Sequence, residues 1–180
     1  MLGVSLGTAT IRATFEALSA QRSLRVVPDY AGTWSGEYRI AGCTWTSGRG
    51  PDFCRPILHS RSPLKVALNQ AGAQASGTLE FYSSGGALVE SGSVDGSIDE
   101  SYTLLLSGMT RSVDPVHPSE TTVADWRTRL IEDDKGMIGR FVRNMTFINA
   151  WGPQQSRMEC EIIRLERAVR GTLARYAGPR

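Results

Sequence analysis

Little in this sequence is suited to catalysis. Its 180 residues include two histidines and three cysteines, and neither type is grouped. No C-x-x-C pair or His–Cys cluster has zinc-ligand spacing. No strained serine elbow with triad partners is visible. No G-x-G-x-x-G or G-x-x-x-x-G-K-[ST] loop offers a phosphate cradle. The expectation is a protein with no catalytic residues, no metal and no cofactor. An excess of one charge is missing too. Twenty Lys and Arg stand against 18 Asp and Glu, a net charge of +2, which gives no general attraction for nucleic acid. No apolar run approaches the roughly 20 residues of a membrane-spanning helix. Between Gly32 and Ser156 no stretch carries a long helical period, so crossover helices and a parallel sheet are excluded.

What the chain has instead is turn chemistry and alternation. Glycine occurs 19 times, hydrophobic residues make up 41% and charged residues 21%, the balance of an ordinary globular domain with a core of its own. From 32 to 167 short alternating runs are separated by turn residues, which predicts hairpin-linked strands. Eight are expected: Thr33–Gly42, Leu64–Gln70, Ser76–Tyr82, Ala87–Ser93, Ser97–Gly108, Thr121–Ile131, Met137–Asn144 and Ser156–Arg167. Tight turns are expected at Ser84-Gly85-Gly86, Asp95-Gly96 and Asp133–Gly136. Eight strands with one buried face close into a barrel, because closure removes exposed edges. The fold class is therefore all-β, an eight-stranded antiparallel up-and-down barrel with an N-terminal tail or short helix. The expected boundaries are 1–31 for the tail, 32–167 for the barrel and 168–180 for a C-terminal tail. Residues 1–20 admit two readings, a degenerate signal peptide or a short amphipathic helix or loose tail, since Arg12 and Glu16 interrupt the apolar stretch.

Alternation assigns the inward side chains: Trp34, Gly36, Tyr38 and Ile40; Leu64, Val66 and Leu68; Leu79 and Phe81; Tyr102, Leu104 and Leu106; Trp126, Thr128 and Leu130; Gly139 and Phe141; Met158, Cys160 and Ile162. Exposed arginines on the sixth and seventh strands are expected to pair with Glu159 and Glu161. Three long connections, Cys43–Pro63, Met109–Glu120 and Met145–Gln155, fall on one rim, and the short ones fall on the other. The barrel should have a decorated end and a plain end.

Gly32-Thr33-Trp34 opens the first strand, the first connection is the longest, and Arg164 comes late in the last strand. This pattern resembles the lipocalin, or calycin, family over about residues 32–167. The resemblance implies a barrel that binds an apolar small molecule inside. It also implies an arginine, here Arg164, packed over Trp34 to close the floor. GTWSGEYRIAGC and CEIIRLER are also similar to a group of uncharacterised secreted bacterial barrels, which implies a periplasmic or secreted setting.

Cys43 and Cys54 lie in the same long loop, while parity places Cys160 mid-strand and inward. A Cys43–Cys54 disulfide is favoured, with three reduced thiols as the alternative. His59 and His117 sit in long loops and read as exposed. Tyr38, Leu64, Leu68, Phe81, Leu104, Trp126 and Phe141 surround one axis and are the expected ligand-binding residues, although simple core packing explains them as well. Trp45, Phe53, Phe147 and Trp151 lie in rim loops and either cap the barrel or meet a partner. Two functional readings follow. One is a non-enzymatic extracytoplasmic barrel that binds a small hydrophobic ligand. The other is a packed barrel serving as an accessory subunit, docked on a larger protein assembly through its rim loops or N-terminal tail.

Overall fold

Alternating short runs of this kind pair most simply with their chain neighbours, and the structure, a computed structural model, carries that pairing to closure. It describes residues 6–48, 52–131, 136–149 and 151–168. Two strands, β1 (Gly7–Phe15) and β2 (Leu18–Val26), form a separate hairpin. The barrel is built from β3 (Gly32–Ser47), β4 (Arg61–Ala71), β5 (Gln74–Tyr82), β6 (Leu88–Ile98), β7 (Leu104–Ser112), β8 (Ser119–Leu130), β9 (Gly136–Asn149) and β10 (Gly152–Arg167). A four-residue helix, α1 (Cys54–Ile57), interrupts the first long connection. Each barrel strand pairs antiparallel with the next, and β10 returns to β3, giving the closed order β10-β3-β4-β5-β6-β7-β8-β9. The fold is therefore the eight-stranded up-and-down barrel that the alternation predicts.

Several expectations need correction. The N-terminal segment is neither a tail nor a helix but the β1–β2 hairpin, turned at Glu16 with φ 52°. Thr8 to Phe15 does alternate polar and apolar residues, but most of them are small, so the segment reads as one weakly apolar stretch rather than as a strand. Asp95-Gly96 does not turn the chain. It lies inside β6, where Gly96 pairs with Leu106, and a Cβ at Gly96 would sit against the Leu105 carbonyl. The glycine is there for close strand approach. The turn comes at Asp99–Thr103 instead, where the Asp99 carboxylate accepts from the Ser101 and Thr103 amides at 2.8 and 2.9 Å and Tyr102 takes φ 62°. Tyr102 is thus a turn residue, not an inward strand residue. Finally, Met145–Gln155 is not a long loop, because β9 and β10 run on to pair Phe147 with Gln154 and Ile148 with Pro153. Most of the Asp133–Gly136 turn lies outside the described residues.

At the plain end the floor is aromatic. Tyr30 and Trp34 are fully buried. The Trp34 indole N–H donates to the Tyr30 carbonyl at 2.9 Å, and the Tyr30 hydroxyl donates to the Tyr102 carbonyl at 2.9 Å. The arginine over Trp34 is Arg167, its Cζ 4.5 Å from the ring centroid, rather than Arg164. Pairing of β10 with β3 steps from Ile162↔Tyr38 to Arg164↔Glu37 and Leu165↔Gly36. That one-residue bulge reverses the parity beyond Ile162. Leu165 turns inward and is fully buried, while Arg164 stays near the surface beside Glu166 at 3.4 Å.

Candidate functional site

The interior divides along the barrel axis. Its middle is a cluster of rings contributed by β3, β5, β8 and β9. Trp126 stacks on Phe141 with centroids 4.8 Å apart. Tyr38 lies 5.5 Å from Phe81 and 5.6 Å from Phe141, and Phe81 lies 6.0 Å from Phe141. Of the expected ligand-binding residues, Tyr38, Leu64, Leu68, Phe81, Leu104, Trp126 and Phe141 are all buried and inward. The four rings among them meet one another.

Against these rings, toward the decorated end, the barrel holds a buried ion pair. Arg143 of β9 and Glu90 of β6 face each other at 2.8 Å, with side chains 5% and 6% exposed. Arg143 also donates to the Tyr38 hydroxyl at 3.0 Å. Thr110 of β7 donates to the same Glu90 oxygen at 2.9 Å. The guanidinium lies over Phe81, 4.0 Å from its centroid, a cation–π contact in a dry setting. Burial alone would push Arg143 toward losing its proton, but Tyr38 and Glu90 more than offset that and its pKa is raised. Desolvation raises the Tyr38 phenol despite the nearby guanidinium. Cys160, a buried free thiol, is pushed up to about 12, chiefly by desolvation.

Neither Arg143 nor Glu90 stands out in the sequence. The signal was parity, since Arg143 is two residues beyond the inward Phe141 on one strand. A charged residue at an inward position is an exception to the usual rule of exposure. The same region contains buried polar atoms with no protein partner: Trp126 Nε1, Thr121 Oγ1, Ser156 Oγ and Arg143 Nε. Such groups require water or a polar guest, and an apolar guest satisfies none of them.

At the decorated rim Cys43 and Cys54 form a disulfide, with S–S 2.05 Å and Cα atoms 5.4 Å apart. It anchors α1 to β3. Beside it Trp45, Phe53 and Phe147 pack in a row with successive centroids 5.1 Å apart, while Trp151 is 63% exposed. Among the described residues His117 pairs with Asp114, at 3.1 Å, and both are largely exposed. No group of three or more His, Cys, Asp or Glu among the described residues is placed to hold a metal ion. No helix among them is long and apolar enough to cross a membrane.

On the outer wall the expected pairing of the sixth- and seventh-strand arginines with Glu159 and Glu161 is not found among the described residues. Glu161 pairs with Arg39 of β3, whereas Arg127 of β8 and Arg140 of β9 have no ion-pair partner among the described residues. An open groove runs over this wall, between Arg39, Arg61, Arg127, Arg129 and Arg140.

The hairpin is the second exposed feature. Its register places Ala9, Ile11, Ala13 and Phe15 on one face with Leu24, Arg22, Ala20 and Leu18. Thr8, Thr10, Arg12 and Thr14 share the other face with Arg25, Ser23, Gln21 and Ser19. The ribbon is amphipathic, and its apolar face is uncovered, with Phe15 and Leu18 each 74% exposed and Ile11 56%. At its base Arg25 donates to the Asp99 carbonyl and lies 5.1 Å from the centre of the Tyr102 ring. No protein-family model matches this chain, and no curated protein matches it either.

Proposed function

We propose that the protein is a non-enzymatic extracytoplasmic accessory barrel, a packed scaffold that docks its β1–β2 hairpin on a larger partner protein. The amphipathic hairpin carries this reading. An isolated two-stranded hairpin is marginal in water, and an uncovered apolar face marks an interaction surface. Size and charge describe the partner. The apolar face presents about ten residues, whereas a standard interface uses roughly 20–30 a side. Two hairpins face to face supply too little, so the partner is a different protein whose surface extends beyond the hairpin. Arg12, Arg22 and Arg25 against Glu16 make the ribbon basic, which complements an apolar surface rimmed by carboxylates. The disulfide supports the extracytoplasmic setting.

The competing reading places a small apolar ligand among Tyr38, Phe81, Trp126 and Phe141. It needs room along the axis where these rings already touch, next to the Arg143–Glu90 pair. Native mass spectrometry of the protein from its own host separates the two. A stoichiometric heteromeric complex, lost in the doubly substituted Ile11→Asp, Phe15→Asp protein while the barrel's near-UV circular dichroism is kept, supports docking. A free monomer that binds a hydrophobic fluorescent probe saturably, with quenching of Trp126, overturns it.

A further inference from the structure

Strand register sets the charges of the outer wall in one transverse row. Arg127 of β8 lies opposite Arg140 of β9, Arg140 opposite Glu161 of β10, Glu161 opposite Arg39 of β3, and Arg39 opposite Arg61 of β4. Like charges directly opposite one another across a ladder are destabilising, and this row contains two such pairs. The pair at the β3 side is compensated. Arg39 is paired with Glu161, and Arg61 lies 4.0 Å from Glu37. The pair at the β8 side is not: among the described residues no carboxylate pairs with Arg127 or Arg140. Asp125 and Glu159 line the same groove without pairing to either arginine. A third arginine completes the cluster in a fixed position. Arg129 donates to Thr103 Oγ1 at 2.7 Å and to Ser101 Oγ at 3.2 Å, and it is opposite Ile138, two residues from Arg140. Ile138 is 46% exposed and forms an apolar platform among the three guanidiniums.

We infer that Arg127, Arg140 and Arg129 form a binding site for a phosphate monoester dianion, with the ester's apolar body on Ile138. Two opposed guanidinium forks match the oxygens of one tetrahedral dianion, which neutralises both cations at once. A monoanion neutralises only one. Two like charges held opposite each other, with no ion-pair partner among the described residues, are the kind of local cost that proteins retain at functional sites. The site lies on the barrel wall and is independent of the hairpin.

The test uses the full-length protein and its thermal midpoint in phosphate-free, low-salt buffer. Inorganic phosphate raises the midpoint saturably, by roughly 5–10 °C at a hundredfold excess over its Kd. Sodium chloride at matched ionic strength does not. Phenyl phosphate acts at lower concentration than inorganic phosphate, because Ile138 adds an apolar contact. The Arg127→Gln and Arg140→Gln variants lose the response, yet they are at least as stable as the parent without phosphate, since each relieves the repulsion. Co-sedimentation with phosphatidic-acid vesicles, lost in the same variants, identifies a lipid headgroup as the source, and its absence identifies a soluble ester. Equal shifts in chloride and phosphate overturn the inference, because salt then merely screens the arginines. A phosphate response that survives both substitutions overturns it as well.

Discussion

Replacing Glu90 by Gln leaves Arg143 charged inside the barrel with its partner gone. The parent pair is 2.8 Å apart and about as buried as a core residue. Two unit charges about 4 Å apart attract by about 4 kcal/mol at an effective dielectric constant near 20. The glutamine amide still accepts from Thr110, and Arg143 still donates to Tyr38, but neither compensates a full charge. Removing one member of a buried pair costs roughly 3–5 kcal/mol, a large share of a stability that is typically about 5–15 kcal/mol. In urea, with a slope near 2 kcal/mol/M, the midpoint should fall by roughly 1.5–2.5 M. Adding Arg143→Met to Glu90→Gln removes the second charge and keeps the volume. That double variant should recover to within about 1–2 kcal/mol of the parent, because exchanging a whole buried pair for apolar groups is often neutral. Unfolding followed by tryptophan fluorescence gives all four corners of the cycle. A loss below about 1 kcal/mol for Glu90→Gln, or purely additive single effects, would refute a dry, mutually dependent pair.

Three further outcomes follow from the geometry. Arg167→Ala should cost about 1–2 kcal/mol through the lost contact with Trp34, while Arg127→Ala should cost nothing in thermal unfolding; equal losses would count against the floor described above. Substituting both Cys43 and Cys54 by Ser should lower stability by about 2–3 kcal/mol, given a sequence separation of 11, and peptide mapping without reductant should show both parent cysteines protected from alkylation. Cys160 makes the protein sensitive to alkali: its folded-state value near 12 lies above the unfolded value near 8.5. Its contribution is complete below about pH 8.5 and is lost as pH rises toward 12, with a slope of up to about 1.4 kcal/mol per pH unit. Urea midpoints between pH 8 and 10.5 should fall more steeply for the parent than for Cys160→Ala.

The barrel was legible because a two-residue period records which face of each strand is buried, as in Trp34, Tyr38 and Ile40 or Met158, Cys160 and Ile162. The Cys43–Cys54 pairing was legible from spacing within one loop. The bulge near Ile163 was not. One extra residue leaves no mark in composition, yet it transfers the place over Trp34 from Arg164 to Arg167. Asp95-Gly96 misled because its dipeptide chemistry favours a turn, while the backbone of β7 requires a glycine there for close approach. The Arg143–Glu90 pair was missed because arginine and glutamate default to solvent, and only the shape of the closed barrel brings β6 and β9 to face each other across the interior. The hairpin escaped notice although Thr8 to Phe15 alternates, because its side chains are mostly small and Arg12 and Glu16 read as breaks in one apolar stretch.

The closing ladder between β3 and β10 joins the two ends of the barrel sequence, pairing Trp34 with Arg167 and Tyr38 with Ile162. No earlier portion of the chain can substitute for that seam. During synthesis at about 5–20 residues per second, β3 waits on the order of ten seconds for its second neighbour to emerge. Throughout that interval its free edge and the half-built interior are open to wrong partners, and the loop-closure entropy of the long intervening chain is still unmet. Folding of the barrel is therefore gated by β10, the last of its own strands to be made. Truncations that remove β10 should abolish the barrel rather than shorten it, leaving an open sheet prone to aggregation.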